Sequence, residues 1–166
     1  EKEAVDMLRR LHANGLIMIG TSPDIVETTA ETPLPVVLLD RGTGQATSPL
    51  IRSDHYAGGK LAIRHLLRCG CRRPVHLTGP MKYDSARLRC QAFEDFCQLS
   101  GIEPLIFPGD YQYETSLRQA RHLLREHPGT DGIFAANDLA AMAVLKACSE
   151  SGIRVPDDLQ VIGYDG

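Results

Sequence analysis

The stretch 74–99, PVHLTGPMKYDSARLRCQAFEDFCQL, decides how this chain is read. Pro74 to Thr78 has the apolar composition of a short buried strand, Gly79-Pro80 breaks it, and Ser85 to Leu99 carries its apolar residues at helical spacing. The same alternation extends outward in both directions. Strands are predicted at Leu16 to Gly20, Val36 to Asp40, Leu105 to Phe107, Gly132 to Ala135 and Gln160 to Gly163. Helices are predicted over Lys2 to Ala13, Tyr56 to Arg68, Glu114 to Glu126 and Leu139 to Ser151. Short Val/Ile/Leu runs separated by amphipathic stretches are the mark of βα units around a parallel sheet. Gly15, Gly70, Gly101 and Gly152 each follow a helical pattern, where a terminating turn needs positive φ. Residues 21–35 read as a loop, and 42–49 as a second irregular segment before a short extra strand at Leu50 to Ser53.

The bulk properties agree with a globular domain. The 166 residues are 43% hydrophobic and 23% charged, enough to bury a core. A net charge of −3 with interspersed signs gives no basic stripe for phosphate-backbone binding, so this piece is not expected to hold nucleic acid by itself. No apolar run is long enough for a membrane span, and Glu1-Lys2-Glu3 does not resemble a signal peptide. Five cysteines without a CxxC pair fit a reducing cytoplasm and a role as small apolar fillers.

Familiar chemical motifs fail on inspection. Gly42-Thr43-Gly44 lacks the third glycine and the following helix of a dinucleotide fingerprint, and Gly58-Gly59-Lys60 lies inside a helix rather than in a phosphate loop. Metal-ligand spacing and nucleophile motifs are missing. The six histidines are scattered, and surface positions or simple hydrogen bonding are expected for them rather than catalysis. No cofactor, no metal and no enzymatic activity are predicted.

What remains is a pattern of polar residues after the strands, where open parallel sheets bind ligands. Asp40-Arg41, Tyr83 with Ser85, Tyr111, Asn137 and Asp165 each follow a strand candidate. Carboxylates accept from hydroxyls, a guanidinium donates to adjacent oxygens, an amide does both, and an aromatic ring covers the C–H face of a sugar. The set contains no nucleophile paired with a base, which favours binding over catalysis.

Arg89 sharpens this reading. It lies four residues before Phe93 and seven before Phe96, near the apolar helix face and in the first turns, where both burial and the helix dipole disfavour a cation. It therefore needs a partner, either a carboxylate such as Asp165 or Asp40, or a ligand. Plainer roles are open for the others. Asn137 is a natural N-cap, Asp40-Arg41 fits a turn with a surface ion pair, Tyr83 and Tyr111 fit half-exposed loop positions, and Asp165 fits a strand end.

Several segments together resemble the lactose-repressor family of transcription regulators and the related ribose-type periplasmic sugar receptors. They are Val36 to Arg41, Ser53 to Lys60, His76 to Pro80, Ala86 to Arg89 with Ala92-Phe93, Gly109 to Tyr111, Phe134 to Asp138 with Ala141-Met142, and Val155 to Asp158 through Val161 to Gly166. The resemblance implies an α/β fold of two doubly wound parallel-sheet subdomains of the periplasmic-binding-protein-like type, the first incomplete. It implies a first subdomain over 1–71, a second over 72–162 and the start of a crossover at 163–166. Carried over residue by residue, it implies effector contacts from Asp40, Arg41, Arg89, Asn137 and Asp165, with Tyr111 over the ligand.

The function expected from the resemblance is that of an effector-sensing core, truncated at both ends, of a cytoplasmic repressor. It would act as a homodimer and reach operator DNA only through a separate helix-turn-helix. The Asp-Arg pair at 40 and 41 is similar to ribose-type binders and tips the effector toward a pentose or similar monosaccharide. The competing expectation is a periplasmic receptor for sugar transport.

Overall fold

The computed structural model describes residues 2–19, 33–40 and 48–166. They form two compact units, 1–53 and 54–166.

In the first unit a helix, α1 (Lys2–Arg10), precedes a three-stranded parallel sheet of order β1 (Leu16–Ile19), β2 (Val36–Leu39), β3 (Leu50–Ile51). Val5, Leu16, Val36 and Leu38 are buried together and form its core. The expected helix end at Gly15 differs: α1 stops at Arg10 and the left-handed residue is His12, φ 56°. At Gly15 a β-carbon would stand 3.2 Å from the Pro35 carbonyl, so this glycine serves close approach to β2 instead.

The second unit begins with α2 (His55–Arg68), then alternates β4 (Pro74–Leu77), α3 (Asp84–Leu99), β5 (Leu105–Phe107), α4 (Tyr113–Glu126), β6 (Gly132–Ala135), α5 (Asp138–Glu150) and β7 (Gln160–Ile162). The sheet is wholly parallel, in the order β5-β4-β6-β7. The central strands β4 and β6 are buried at every residue, as continuous apolar runs covered on both faces should be. One face packs Val75, Leu77 and Ile133 against α4 and α5, through Leu123, Val144 and Cys148 among others. The other packs Phe134 against α2 and α3, through Ile63, Leu66, Phe93 and Cys97.

The unit boundary falls after Ser53, one helix earlier than the expected division near Cys71. The cause is packing: Ala62, Ile63 and Leu66 of α2 belong to the same core as Phe93 and Phe134, so the helix completes the second unit's sandwich. Gly70, Gly101 and Gly152 do take positive φ, at 98°, 68° and 69°.

Two histidines take the hydrogen-bonded rather than the surface role expected of them, His76 bonding to the Phe134 carbonyl and His55 to Arg89. His55 and His76 are buried, at 3% and 0% exposure. Four cysteines, Cys71, Cys90, Cys97 and Cys148, are buried, and burial pushes the first three thiols up to about 11, which keeps them protonated and inert. No helix among the described residues is long and apolar enough to cross a membrane, and no group of metal-ligating side chains occurs among them.

Candidate functional site

The carboxyl ends of β4, β5 and β6, with the segment after β7, bring most of the expected residues together at one edge of the second unit. The loop after β5 is held by Asp110, whose Oδ1 accepts from the backbone N–H of Gln112 at 2.9 Å. Inside that turn Tyr111 takes φ 67°. Its ring lies across Gly79, where a β-carbon would stand 2.2 Å from the ring, so the Gly79-Pro80 break is also a seat for the tyrosine.

From Tyr111 the polar contacts run inward. Its hydroxyl is 3.2 Å from Ser85 Oγ, at the start of α3, and its carbonyl accepts from Asn137 Nδ2 at 3.3 Å. Asn137 Oδ1 in turn accepts from the Ala140 N–H at 2.9 Å, so Asn137 is the N-cap of α5. The capping and site roles coexist, because the cap uses the amide oxygen and leaves the amide nitrogen facing the Tyr111 loop.

Arg89 is 5% exposed, on the inner face of α3. Its guanidinium donates to the Ala136 carbonyl, next to Asn137. Nη2 lies 3.3 Å from His55 Nδ1 and 3.8 Å from Asp165 Oδ1. The second distance is an ion pair rather than a hydrogen bond. Its face is covered by Tyr164, with Cζ 3.4 Å from the ring centroid. Nε is buried without a hydrogen-bond partner among the described residues.

The remaining expected residues are placed separately. Tyr83 is the N-cap residue of α3 and makes no side-chain capping bond; Lys82 Nζ stands 5.0 Å from its ring centroid. Asp40 sits at the carboxyl end of β2 in the first unit, exposed, its N–H donating to the Ile51 carbonyl at 2.8 Å. Arg41 lies outside the described residues.

Backbone conformation marks Tyr111 and Asp165 in the second unit and, separately, Asp40 in the first. Only His12, Asp40, Tyr111 and Asp165 among the described non-glycine residues have positive φ, and three of these four are sequence-predicted ligand residues. Each such residue stores on the order of 1 kcal/mol of strain, which tends to be retained at functional positions.

A cavity of about 690 Å³ lies at the opposite rim, where β4, β5 and β6 begin, lined by Arg72, Arg73, Glu103 and His127 among others. Helices α3 and α4 both end at that rim. Their carbonyl ends favour cations there and disfavour a bound anion, which accounts for the arginines without a ligand.

Residues 63–166 match the model of the periplasmic binding protein-like domain. This chain belongs to that family. Within it, the chain is similar to the effector-binding cores of lactose-repressor-type regulators. The ribose operon repressor of Halalkalibacterium halodurans is 32% identical across the whole chain, which covers 50% of that relative. A structure of the transcriptional regulator CelR in complex with cellobiose superposes with a TM-score of 0.86 at 28% identity, over 99% of this chain and 53% of that one. The lac repressor dimer bound to operator and an anti-inducer superposes with a TM-score of 0.84 at 30% identity, over 99% of this chain and 58% of that one. The chain thus spans about half the length of the curated relatives it matches.

In this periplasmic-binding-protein-like core, sequence reasoning missed His55 and Tyr164. Their signal was present in Gly58-Gly59, an unusual pair inside a helix. A β-carbon at Gly58 would stand 2.2 Å from the Tyr164 hydroxyl, and one at Gly59 would stand 3.0 Å from Arg89 Cα. Both glycines give up helix propensity so that Tyr164 and the backbone of Arg89 can approach α2.

Proposed function

We propose that this chain is the effector-sensing core of a sugar-responsive bacterial transcriptional repressor. It binds a small neutral sugar, a ribose-like monosaccharide foremost, and performs no catalysis. Arg89, Asn137 and Asp165 supply polar contacts, Ser85 supports Tyr111, and Tyr111 covers the sugar's apolar face. Asp40, Arg41 and Tyr83 belong to the ligand set on the family resemblance alone. Binding shifts the population between states that differ in operator affinity. Operator contact is made through a helix-turn-helix outside these 166 residues, by a cytoplasmic homodimer.

The observation that carries this reading is Arg89. A buried cation retaining an unpartnered Nε, beside an amide and a carboxylate at the sheet's carboxyl edge, is suited to meet sugar oxygens. The ribose-type preference is supported by the identity with a ribose operon repressor. The homodimer is supported by the outer face of α5, where Leu139, Met142 and Leu145 are exposed.

Isothermal titration with D-ribose, other monosaccharides and phosphosugars tests the proposal. Binding of a pentose that weakens at least about tenfold in Arg89→Ala is expected, since a charged hydrogen bond is worth about 1.5–3 kcal/mol. Silence across the whole panel, or unchanged affinity in Arg89→Ala, would overturn it.

A further inference from the structure

We infer that Tyr164 is a positioning residue for Arg89, setting the plane in which the guanidinium meets the effector. This rests on the effector-site reading above. A guanidinium carries five N–H donors and no acceptor, all in one plane. One edge is fixed by the Ala136 carbonyl. A second edge is fixed by His55, whose Nδ1 must be the acceptor because arginine can only donate; the His55 proton then sits on Nε2. Two in-plane contacts leave the tilt about their common axis undetermined. The ring of Tyr164, 3.4 Å from Cζ, removes that freedom by covering one face.

The tyrosine is itself held from behind. Gly58 of α2 leaves room only for the ring, since a β-carbon there would stand 2.2 Å from the hydroxyl and 2.8 Å from Cε2 and Cζ. Tyr164 is therefore fixed between Gly58 and Arg89. With one face covered by Tyr164 and Nε–H buried but unpartnered, the donors left to Arg89 all lie in the guanidinium plane, so Arg89 takes a ligand edge-on. The chemistry that fits is oxygen lone pairs in that plane, such as vicinal hydroxyls, rather than an apolar sugar face stacked on the guanidinium.

Two readouts test this in the 166-residue chain: the NMR signal of the Arg89 Nε–H without ligand, and the affinity for D-ribose by titration. In the unsubstituted chain the Tyr164 ring current displaces the Arg89 signal upfield. Tyr164→Phe keeps the displaced signal and binds within about twofold, because the ring face and not the hydroxyl makes the contact. Tyr164→Leu loses the displacement and binds about tenfold more weakly.

Gly58→Ala acts in the same direction without touching the ligand, although alanine for glycine in a helix would otherwise stabilise by about 0.5–1 kcal/mol. A Tyr164→Leu chain that fails to fold leaves Gly58→Ala to decide. If Tyr164→Leu and Gly58→Ala bind D-ribose like the parent, or if the parent's Arg89 signal is not displaced, the inference is wrong. If no sugar binds the parent at all, the effector reading fails, and the Arg89 signal alone decides whether Tyr164 sets the guanidinium.

Discussion

Arg89 and Tyr164 lie face to face, the guanidinium carbon 3.4 Å from the ring centroid, and this stack joins α3 to the segment that follows β7. A charge at 5% exposure is held here by a carbonyl, an imidazole and an aromatic face, with Asp165 only at ion-pair distance. Burying a cation against neutral dipoles leaves its charge less cancelled than a close carboxylate would, which suits a group that must interact with an incoming oxygen.

Asn137 separates stability from binding. Its Oδ1 caps α5 and its Nδ2 faces the Tyr111 carbonyl. Asn137→Ala removes both and should lower unfolding stability by about 1 kcal/mol in urea titration. Asn137→Asp keeps a capping oxygen at a helix N-terminus, where negative charge is favourable, and should stay within about 0.5 kcal/mol of the parent. Both substitutions should weaken sugar binding, since both lose the amide donor. Equal binding by Asn137→Asp and the parent would confine Asn137 to its structural role.

Gly59 should respond to alanine in the opposite sense to a solvent-facing helical glycine. An added β-carbon would stand 3.0 Å from both Arg89 Cα and Ala92 Cβ, and 3.1 Å from the Arg89 carbonyl. Backbone cannot swing aside as a flexible side chain can, so α2 and α3 must separate. Gly59→Ala is expected to destabilise by about 1–3 kcal/mol in urea titration. A gain in stability would show that the two helices have slack at this crossing.

The strands were legible in the sequence because each is a short, mostly apolar run bounded by breakers, and β4 and β6 are buried at every residue because helices cover both faces. The edge of the site was legible too, since Tyr111, Asn137 and Asp165 follow strands and the chain direction fixes where strand ends lie. What periodicity could not give was the third dimension. Pairing α2 with α3 depends on Gly59 meeting Arg89 across 30 residues of chain, and a polar residue such as His55 is indistinguishable from a surface histidine until that pairing is known. The compact-unit division after Ser53 was not legible for the same reason: α2 follows the first unit in sequence but shares its apolar face with Phe93 and Phe134.

The proposed homodimer has a face of its own. Leu139, Met142 and Leu145 stand 49%, 58% and 44% exposed along α5, apolar surface that an isolated chain has no reason to keep in water. Leu145→Glu puts a charge in that row. Sedimentation should find the parent dimeric and Leu145→Glu monomeric, with the folded circular dichroism spectrum of the parent. A parent that is monomeric at every concentration, or a variant that still dimerises, would move the interface elsewhere.

His76 predicts how stability depends on acidity. It is wholly buried in β4, stacked on Phe134 at 4.4 Å between centroids, with Nδ1 donating to the Phe134 carbonyl at 2.8 Å and Nε2 without a partner among the described residues. Burial holds the imidazole down to about 4, against 6.5 for an ordinary histidine, and the nearby charge of Arg89 adds in the same direction. The folded chain therefore keeps His76 neutral while the unfolded chain takes up a proton as pH falls below 6.5. The stability this provides is fully present above that value and is lost as pH falls toward 4, by about 3 kcal/mol in all. His76→Leu removes the titrating group and fills the same apolar space. Urea unfolding at about pH 7 and about pH 4.5 should show a smaller loss for His76→Leu than for the parent, because only the parent carries this proton linkage. The comparison is between slopes, so an offset in stability from repacking against Phe93 and Phe134 does not disturb it. Parallel losses in the two chains would mean that a charged imidazole finds water or an acceptor at Nε2, and that this part of the core is less closed than the packing of its rings implies.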